Sequence, residues 1–176
     1  MKYSYKYISD RTKEDLVLSK LPTKHILQSY NMIKKKKTKG ENRWGIFLFD
    51  NDKSEIIGVC EVISQKEDGV KLLLIVYTFI DEKYRGNNLC YELIKRTLLK
   101  NKEKKGNLIK VVIAGGEPIL KCLIKVVKDL KYKVKKYQSD EKEDIHKLKT
   151  ITFDDAIKIE KKNKKSDTWQ TLFFAV

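Results

Sequence analysis

The run from Leu72 to Tyr91, LLLIVYTFIDEKYRGNNLCY, limits the folds open to this chain more than any other stretch. Leu72 to Ile80 is apolar and β-branched enough to read as a buried strand. The charged break Asp81-Glu82-Lys83 stops it, and Asp81 and Glu82 read as residues that shape the turn. A small, amide-rich turn follows, and from Leu89 the apolar period lengthens from two to about 3.6. Leu89, Cys90, Leu93, Ile94, Thr97 and Leu98 then share one helical face. The element is therefore strand, tight turn, helix, with the helix N-terminus pointing out of the turn.

Such a junction has a chemical use. The first turn of a helix carries N–H groups without intrahelical partners, and the macrodipole adds partial positive charge there. An anion such as phosphate can rest against it when no bulky side chain holds the backbone away. Gly86, Asn87 and Asn88 meet that condition, and Arg85 adds a fixed cation. The run resembles the acyl-CoA-binding motif of the GNAT superfamily of N-acetyltransferases, a strand followed by [RQ]-x-x-G-x-[GA] opening a helix. Arg85 holds the Arg/Gln position and Gly86 the frequent glycine after it. Asn88 stands where the family usually has glycine, and Cys90 where it has glycine or alanine. Asparagine is among the few residues besides glycine that tolerate a left-handed backbone, and cysteine is small.

The rest of the chain reads in the same order as that fold. Residues 2–8 alternate as a first strand, and Ser9 to Thr12 offers caps for a short helix with Leu16, Val17 and Leu21 inward, broken by Pro22. A second helix is predicted from about Lys24 to Lys35, with Ile26, Leu27, Tyr30 and Ile33 apolar. Arg43 to Asp50 and Glu55 to Ser64 read as an antiparallel hairpin. After the Leu89 helix come a strand at 109–114, a helix opened by Gly115-Gly116-Glu117-Pro118, a strand at 132–137 and a last strand at 168–176. The resemblance implies an α/β fold, with a central mixed sheet of about seven strands flanked by helices on both faces. It spans a single domain, residues 1–176, with an insertion at about 139–167. There Thr152-Phe153-Asp154-Asp155 resembles a capping box opening a helix through about Lys161. The insertion reads as a surface excursion or as a gate beside the acceptor site.

Composition sets the charge. The formal net charge is +15, almost all from lysine, since the only arginines are Arg11, Arg43, Arg85 and Arg96. Such a field attracts phosphorylated cofactors, nucleic acid and acidic proteins, and disfavours polyamine substrates. Cys60, Cys90 and Cys122 are odd in number and never in C-x-x-C, which argues against a disulfide framework or metal site and for a reducing, cytoplasmic setting. The alternating N-terminal residues do not read as a signal peptide, and no apolar run approaches the length of a membrane span.

What the resemblance implies chemically is acetyl-CoA as co-substrate, with no metal. Its pantetheine would bond the strand end at Thr78, Phe79 and Ile80 where neighbouring strands splay. Its pyrophosphate would rest on Arg85, Gly86, Asn87, Asn88, Leu89, Cys90 and Tyr91. The acceptor amine would attack the thioester directly, with a base for the amine and an acid for the leaving thiolate. The family's usual tyrosine falls on Val127, five residues before the Lys131-Tyr132 pair, and Leu72 to Ile80 contains no carboxylate. Glu61, the sole acid in VCEVI, is one candidate for base, or else a solvent-facing strand residue. Tyr77 is a candidate proton donor, or else a core aromatic. His25 and His146 read as amphipathic-face and loop residues. Cys90 reads as a small-residue replacement, or as a thiol able to form a mixed disulfide with CoA. Two functions follow: an N-acetyltransferase acting on a primary amine, or a non-catalytic module of the same fold binding nucleic acid or a protein through its basic surface.

Overall fold

The computed structural model describes residues 2–12, 23–35, 40–100, 108–113, 118–137, 144–166 and 170–175. The short helix expected after Thr12, the lysines at 36, 37 and 39, Gly115-Gly116 and Trp169 lie outside them. The chain divides into two compact units, Met1–Ser64 with Ile75–Asn101, and Gln65–Leu74 with Lys102–Val176.

In the first unit β1 (Tyr3–Ser9) pairs antiparallel with β2 (Asn42–Asp50), which pairs antiparallel with β3 (Glu55–Glu67). The far half of β4 (Val70–Ile80) follows β3 in the strand order. Side chains alternate across a strand, so one face of this sheet carries Ile8, Phe47 and Val59. There Ile26, Tyr30 and Ile33 of α1 (Lys24–Lys34) close a single apolar cluster with them. The helix begins where Thr23 caps it, the Thr23 hydroxyl accepting the Ile26 amide at 3.4 Å. Leu27, expected inward, is largely exposed, and Ser29 takes the inward slot. The opposite face carries Tyr5 and Tyr7. At the end of α2 (Leu89–Leu99), Arg96 and Lys100 lie over those two rings at 4.1 and 4.7 Å. Helices thus cover both faces of this sheet, as the fold class requires.

The hairpin of β2 and β3 carries a bulge. Leu48 faces Gly58 while Phe49 faces Ile56, so Ile57 is the extra residue. The Ile57 carbonyl accepts the amide of Asp81 at 2.8 Å, which ties the end of β4 to β3. Gly58 permits this approach, because a Cβ there would lie 2.7 Å from Ile80 Cδ1 and 3.0 Å from the Phe79 carbonyl oxygen. Gly58→Ala is expected to cost about 1–3 kcal/mol, seen in calorimetric scans as a fall in Tm of several degrees. An unchanged Tm would mean that the strand end yields to a methyl group without strain.

In the second unit the first half of β4 runs parallel to β5 (Leu108–Ile113), pairing Leu72, Leu73 and Leu74 with Leu108, Ile109 and Lys110. β8 (Gln170–Ala175) is antiparallel to both β5 and β6 (Lys133–Tyr137) and lies between them. The sheet is therefore mixed. Leu72, Tyr137, Ile145 and Phe173 form the core cluster of this unit, with Tyr137 and Phe173 edge to face at 5.0 Å.

α3 (Pro118–Asp129) buries Leu120, Leu123, Ile124, Val126 and Val127. It ends in a Schellman arrangement in which the amides of Tyr132 and Lys131 donate to the carbonyls of Val127 and Lys128. Lys131 takes φ 59°, the left-handed conformation that glycine adopts without strain.

The described residues contain eight strands, against about seven expected. The additional one is β7 (Leu148–Ile151), paired antiparallel with β6 and drawn from the 139–167 insertion. The same insertion forms α4 (Phe153–Ser166), longer than the expected stop at Lys161 because its lysine-rich continuation suits a helix. The Thr152 hydroxyl accepts the Asp155 amide at 3.1 Å and meets its carboxylate at 2.7 Å, the reciprocal geometry of a capping box. No described helix is long and apolar enough to cross a membrane.

Candidate active site

All twelve residues proposed from the sequence fall in the first unit, on β3, the far half of β4, and the turn into α2. Ile80 ends β4, and Asp81 turns the chain into a short 3-10 segment, Glu82–Tyr84, by accepting the Lys83 amide at 3.1 Å. Tyr84 is buried, with the Lys53 ammonium 5.2 Å over its ring, and anchors the segment. Gly86 follows at φ 86°, and Asn88 at φ 58°, ψ 9°. Gly86 meets nothing within 4 Å of where a Cβ would stand, so its backbone angle alone calls for glycine. Asn88 holds the left-handed position that asparagine tolerates, and places no side-chain cap on α2.

Arg85 to Asn88 are exposed. The Arg85 Nε donates to the Ile80 carbonyl at 3.2 Å and Nη1 to Glu82 Oε1 at 3.2 Å. The Glu82 pair is too exposed to hold much, so the carbonyl of the strand end fixes the guanidinium beside the turn. Asn87 Nδ2 donates to the Tyr84 carbonyl at 3.2 Å. Leu89 and Tyr91 bury their side chains and offer only backbone to the surface. Tyr91 takes the inward place expected of Cys90, which is half-buried.

β4 departs from its expected burial. Leu72, Leu73 and Ile80 are buried, but the residues between are partly open, and Val76 is 43% exposed. Apolar composition does not bury a strand unless both faces find neighbours. Thr78 points to the α2 face, donating to Cys60 Sγ at 3.4 Å. Burial pushes the Cys60 thiol pKa up, against hydrogen bonds from Thr78 and Thr97. Tyr77 and Phe79 point to the α1 face and pack on its cluster. Tyr77 Oη lies 2.8 Å from His25 Nδ1, and the imidazole stacks on Phe79 at 4.9 Å. Burial raises the Tyr77 pKa and the charge of Arg85 opposes the rise. The residue that sequence reasoning passed over is thus His25. Its position on the flank of an amphipathic helix was visible, but nothing in the chain indicates which strand that flank meets.

Glu61 is corrected most sharply. The alternative of a solvent-facing strand residue fails, because Glu61 is 4% exposed and its neighbours Cys60 and Val62 are fully buried. With helices on both faces, β3 has no wet side for an alternating polar residue. The carboxylate lies opposite Gly45 and accepts from Arg43 Nη1 at 3.0 Å. Burial raises its pKa, while the Ser29 hydroxyl and Arg43 pull the other way. Val127, where the family's tyrosine falls, is wholly buried in α3. His146 sits in an exposed turn, its amide donating to Asp144.

The sequence matches no family model and no curated protein. Solved structures do match. A chain of the crystal structure of the NatC complex bound to Gag peptide and CoA is similar over 100% of this chain and 99% of that one, with TM-score 0.54 and 11% identity. Weaker likenesses include Arabidopsis thaliana Naa50 in complex with the bisubstrate analogue CoA-Ac-MVNAL, covering 87% of this chain and 100% of that one at TM-score 0.48 and 13% identity. Another is the IAA acetyltransferase from Bacillus cereus ATCC 14579, covering 99% of each chain at TM-score 0.47 and 10% identity. The protein has the GNAT, or acyl-CoA N-acyltransferase, fold. At these identities the likeness defines the fold, and the chemistry has to be argued from the residues of this chain.

Proposed function

We propose that the protein is an N-acetyltransferase that moves the acetyl group of acetyl-CoA to a primary amine, whether a peptide N-terminus, a lysine or a small molecule. The observation that carries this reading is the exposed turn from Arg85 to Asn88, left-handed at Gly86 and Asn88, that opens α2 without a side-chain cap. That is the geometry a helix N-terminus needs to receive a pyrophosphate. The NatC complex, which contains a chain of the same fold, is bound to Gag peptide and CoA, and that supports the pairing of co-substrate and acceptor.

In this reading the backbone of Thr78, Phe79 and Ile80 lines the pantetheine. Arg85, Gly86, Asn87, Asn88, Leu89, Cys90 and Tyr91 hold the pyrophosphate. Positioning the amine against the thioester supplies most of the rate. Of the two proton-handling candidates, Tyr77 is open to a substrate, whereas Glu61 is closed off and bonded to Arg43.

Calorimetric titration with acetyl-CoA, with ATP as the polyanion control, tests the reading. Saturable binding that exceeds that of ATP and survives moderate salt is expected. Arg85→Glu should weaken it by about 30-fold or more, reversing the charge beside the phosphates. The net charge of +15 favours a second reading, a non-catalytic module that binds nucleic acid or an acidic protein. Binding no stronger than that of ATP, lost as salt rises, would select it.

A further inference from the structure

A phenol gives up its proton reluctantly at neutral pH, and burial, which raises the Tyr77 pKa, makes it more reluctant still. Its environment supplies what it lacks. The hydroxyl lies 2.8 Å from His25 Nδ1. The imidazole is oriented by stacking on Phe79 at 4.9 Å and 25°, and Tyr77 and Phe79 lie parallel within 6°. Two aromatic neighbours therefore fix the ring, and one hydrogen bond fixes which nitrogen faces the phenol. His25 is exposed and Tyr77 half-buried, so the pair is open to a substrate rather than closed in the core.

We propose that His25 accepts, through Tyr77, the proton that the acceptor amine loses during acetyl transfer. The inference rests on the acetyltransferase reading and assigns the base that the sequence did not supply. With Nε2 protonated, Nδ1 accepts from the Tyr77 hydroxyl. As the amine nitrogen forms its bond to the thioester carbon, its proton passes to Tyr77 Oη and the phenolic proton passes to His25 Nδ1. The carbon–sulfur bond breaks with its electron pair on sulfur. The imidazolium then returns a proton through Tyr77 to the CoA thiolate. One proton leaves nitrogen and one arrives on sulfur, giving amide and thiol with no change of oxidation state. Tyr77 is the catalytic residue of the pair, since it meets the reacting atoms, and His25 is its positioning and proton-accepting partner.

The groups around the pair favour this direction. Arg85 in the turn opposes the rise in the Tyr77 pKa. On the same sheet face the Glu61 carboxylate of β3 is bonded to Arg43 of β2. Lys24, beside His25 on α1, is exposed.

The test is CoA release from acetyl-CoA with a mixture of peptides carrying free N-termini and lysines, with kcat and KM measured separately. Wild type, His25→Asn and Tyr77→Phe are compared, with acetyl-CoA affinity measured by calorimetry for each. Asparagine keeps an acceptor near the Nδ1 position but cannot carry the relayed proton, so a merely structural role would survive it. In His25→Asn kcat should fall about 100-fold at neutral pH with KM little changed, and Tyr77→Phe should fall similarly. Acetyl-CoA affinity should stay within about twofold. A His25→Asn variant with the wild-type kcat overturns the relay and leaves the acetyltransferase reading standing. A wild-type protein that does not bind acetyl-CoA, or binds it and acetylates no free amine, overturns that reading and the relay with it.

Discussion

Asn88→Val is expected to weaken acetyl-CoA binding by about 5- to 30-fold, whereas Asn88→Gly should keep it or strengthen it. Asn88 sits at φ 58° immediately before α2, where a β-branched side chain collides with its own backbone. The strain is about 1–2 kcal/mol, enough to swing the turn out of its left-handed geometry. Once that geometry is lost, the amides opening α2 no longer present themselves together to a phosphate. The fold has less at stake, because Asn88 is exposed and the core of α2 rests on Leu93, Ile94, Thr97 and Leu98. Tm should therefore drop only about 2–8 °C, at 2–4 °C per kcal/mol for a chain of this size. Calorimetric titration of both variants checks the pair. Binding by the valine variant equal to wild type would remove the turn from the cofactor site.

The second large effect concerns stability. Arg43→Met should destabilise the protein by about 3 kcal/mol at neutral pH, since it leaves the Glu61 carboxylate buried beside Ser29 without its cation. The pH dependence follows from the direction of the shift. Burial raises the folded pKa of Glu61 above its value in an unfolded chain, so the folded state binds more protons between the two values. Stability from this group then falls as pH rises through that window, and is not penalised below it. Removing Arg43 pushes the folded pKa further up and widens the window. The deficit of the variant should be largest above it and shrink on the acidic side to the packing lost with the arginine stem. Urea unfolding at a series of pH values reads this directly. Adding Glu61→Leu should recover most of the loss, and a double variant as unstable as Arg43→Met would show that packing, not charge, sets the cost.

Much of the architecture was legible in the chain. The change of period at Leu89 marked the junction of strand and helix, and the Gly86 and Asn88 positions announced a left-handed turn. Thr152 with Asp155 announced the start of α4. These are local signals, and a few residues of backbone physics suffice to produce them. Inward and outward assignment fared worse wherever tertiary neighbours decide it. Leu27 is exposed because α1 turns Ser29 toward the Glu61 carboxylate. Tyr91 is buried where Cys90 was expected, because the inward face of α2 is set by the sheet it covers. Glu61 could not be read as buried until both faces of β3 were known to be covered.

The sequence alone determined the order of the elements other than β7, most caps and turns, and the chemical character of the Arg85 turn, because these depend on contacts a few residues apart. It could not pair His25 with Tyr77, a bond across 52 positions of chain, nor set Arg43 against Glu61. Neither contact leaves a local trace, since any polar residue on the flank of a helix or strand reads alike until packing selects its partner. The packing of α1 on the sheet brought the first pair together, and the register of β2 on β3 the second.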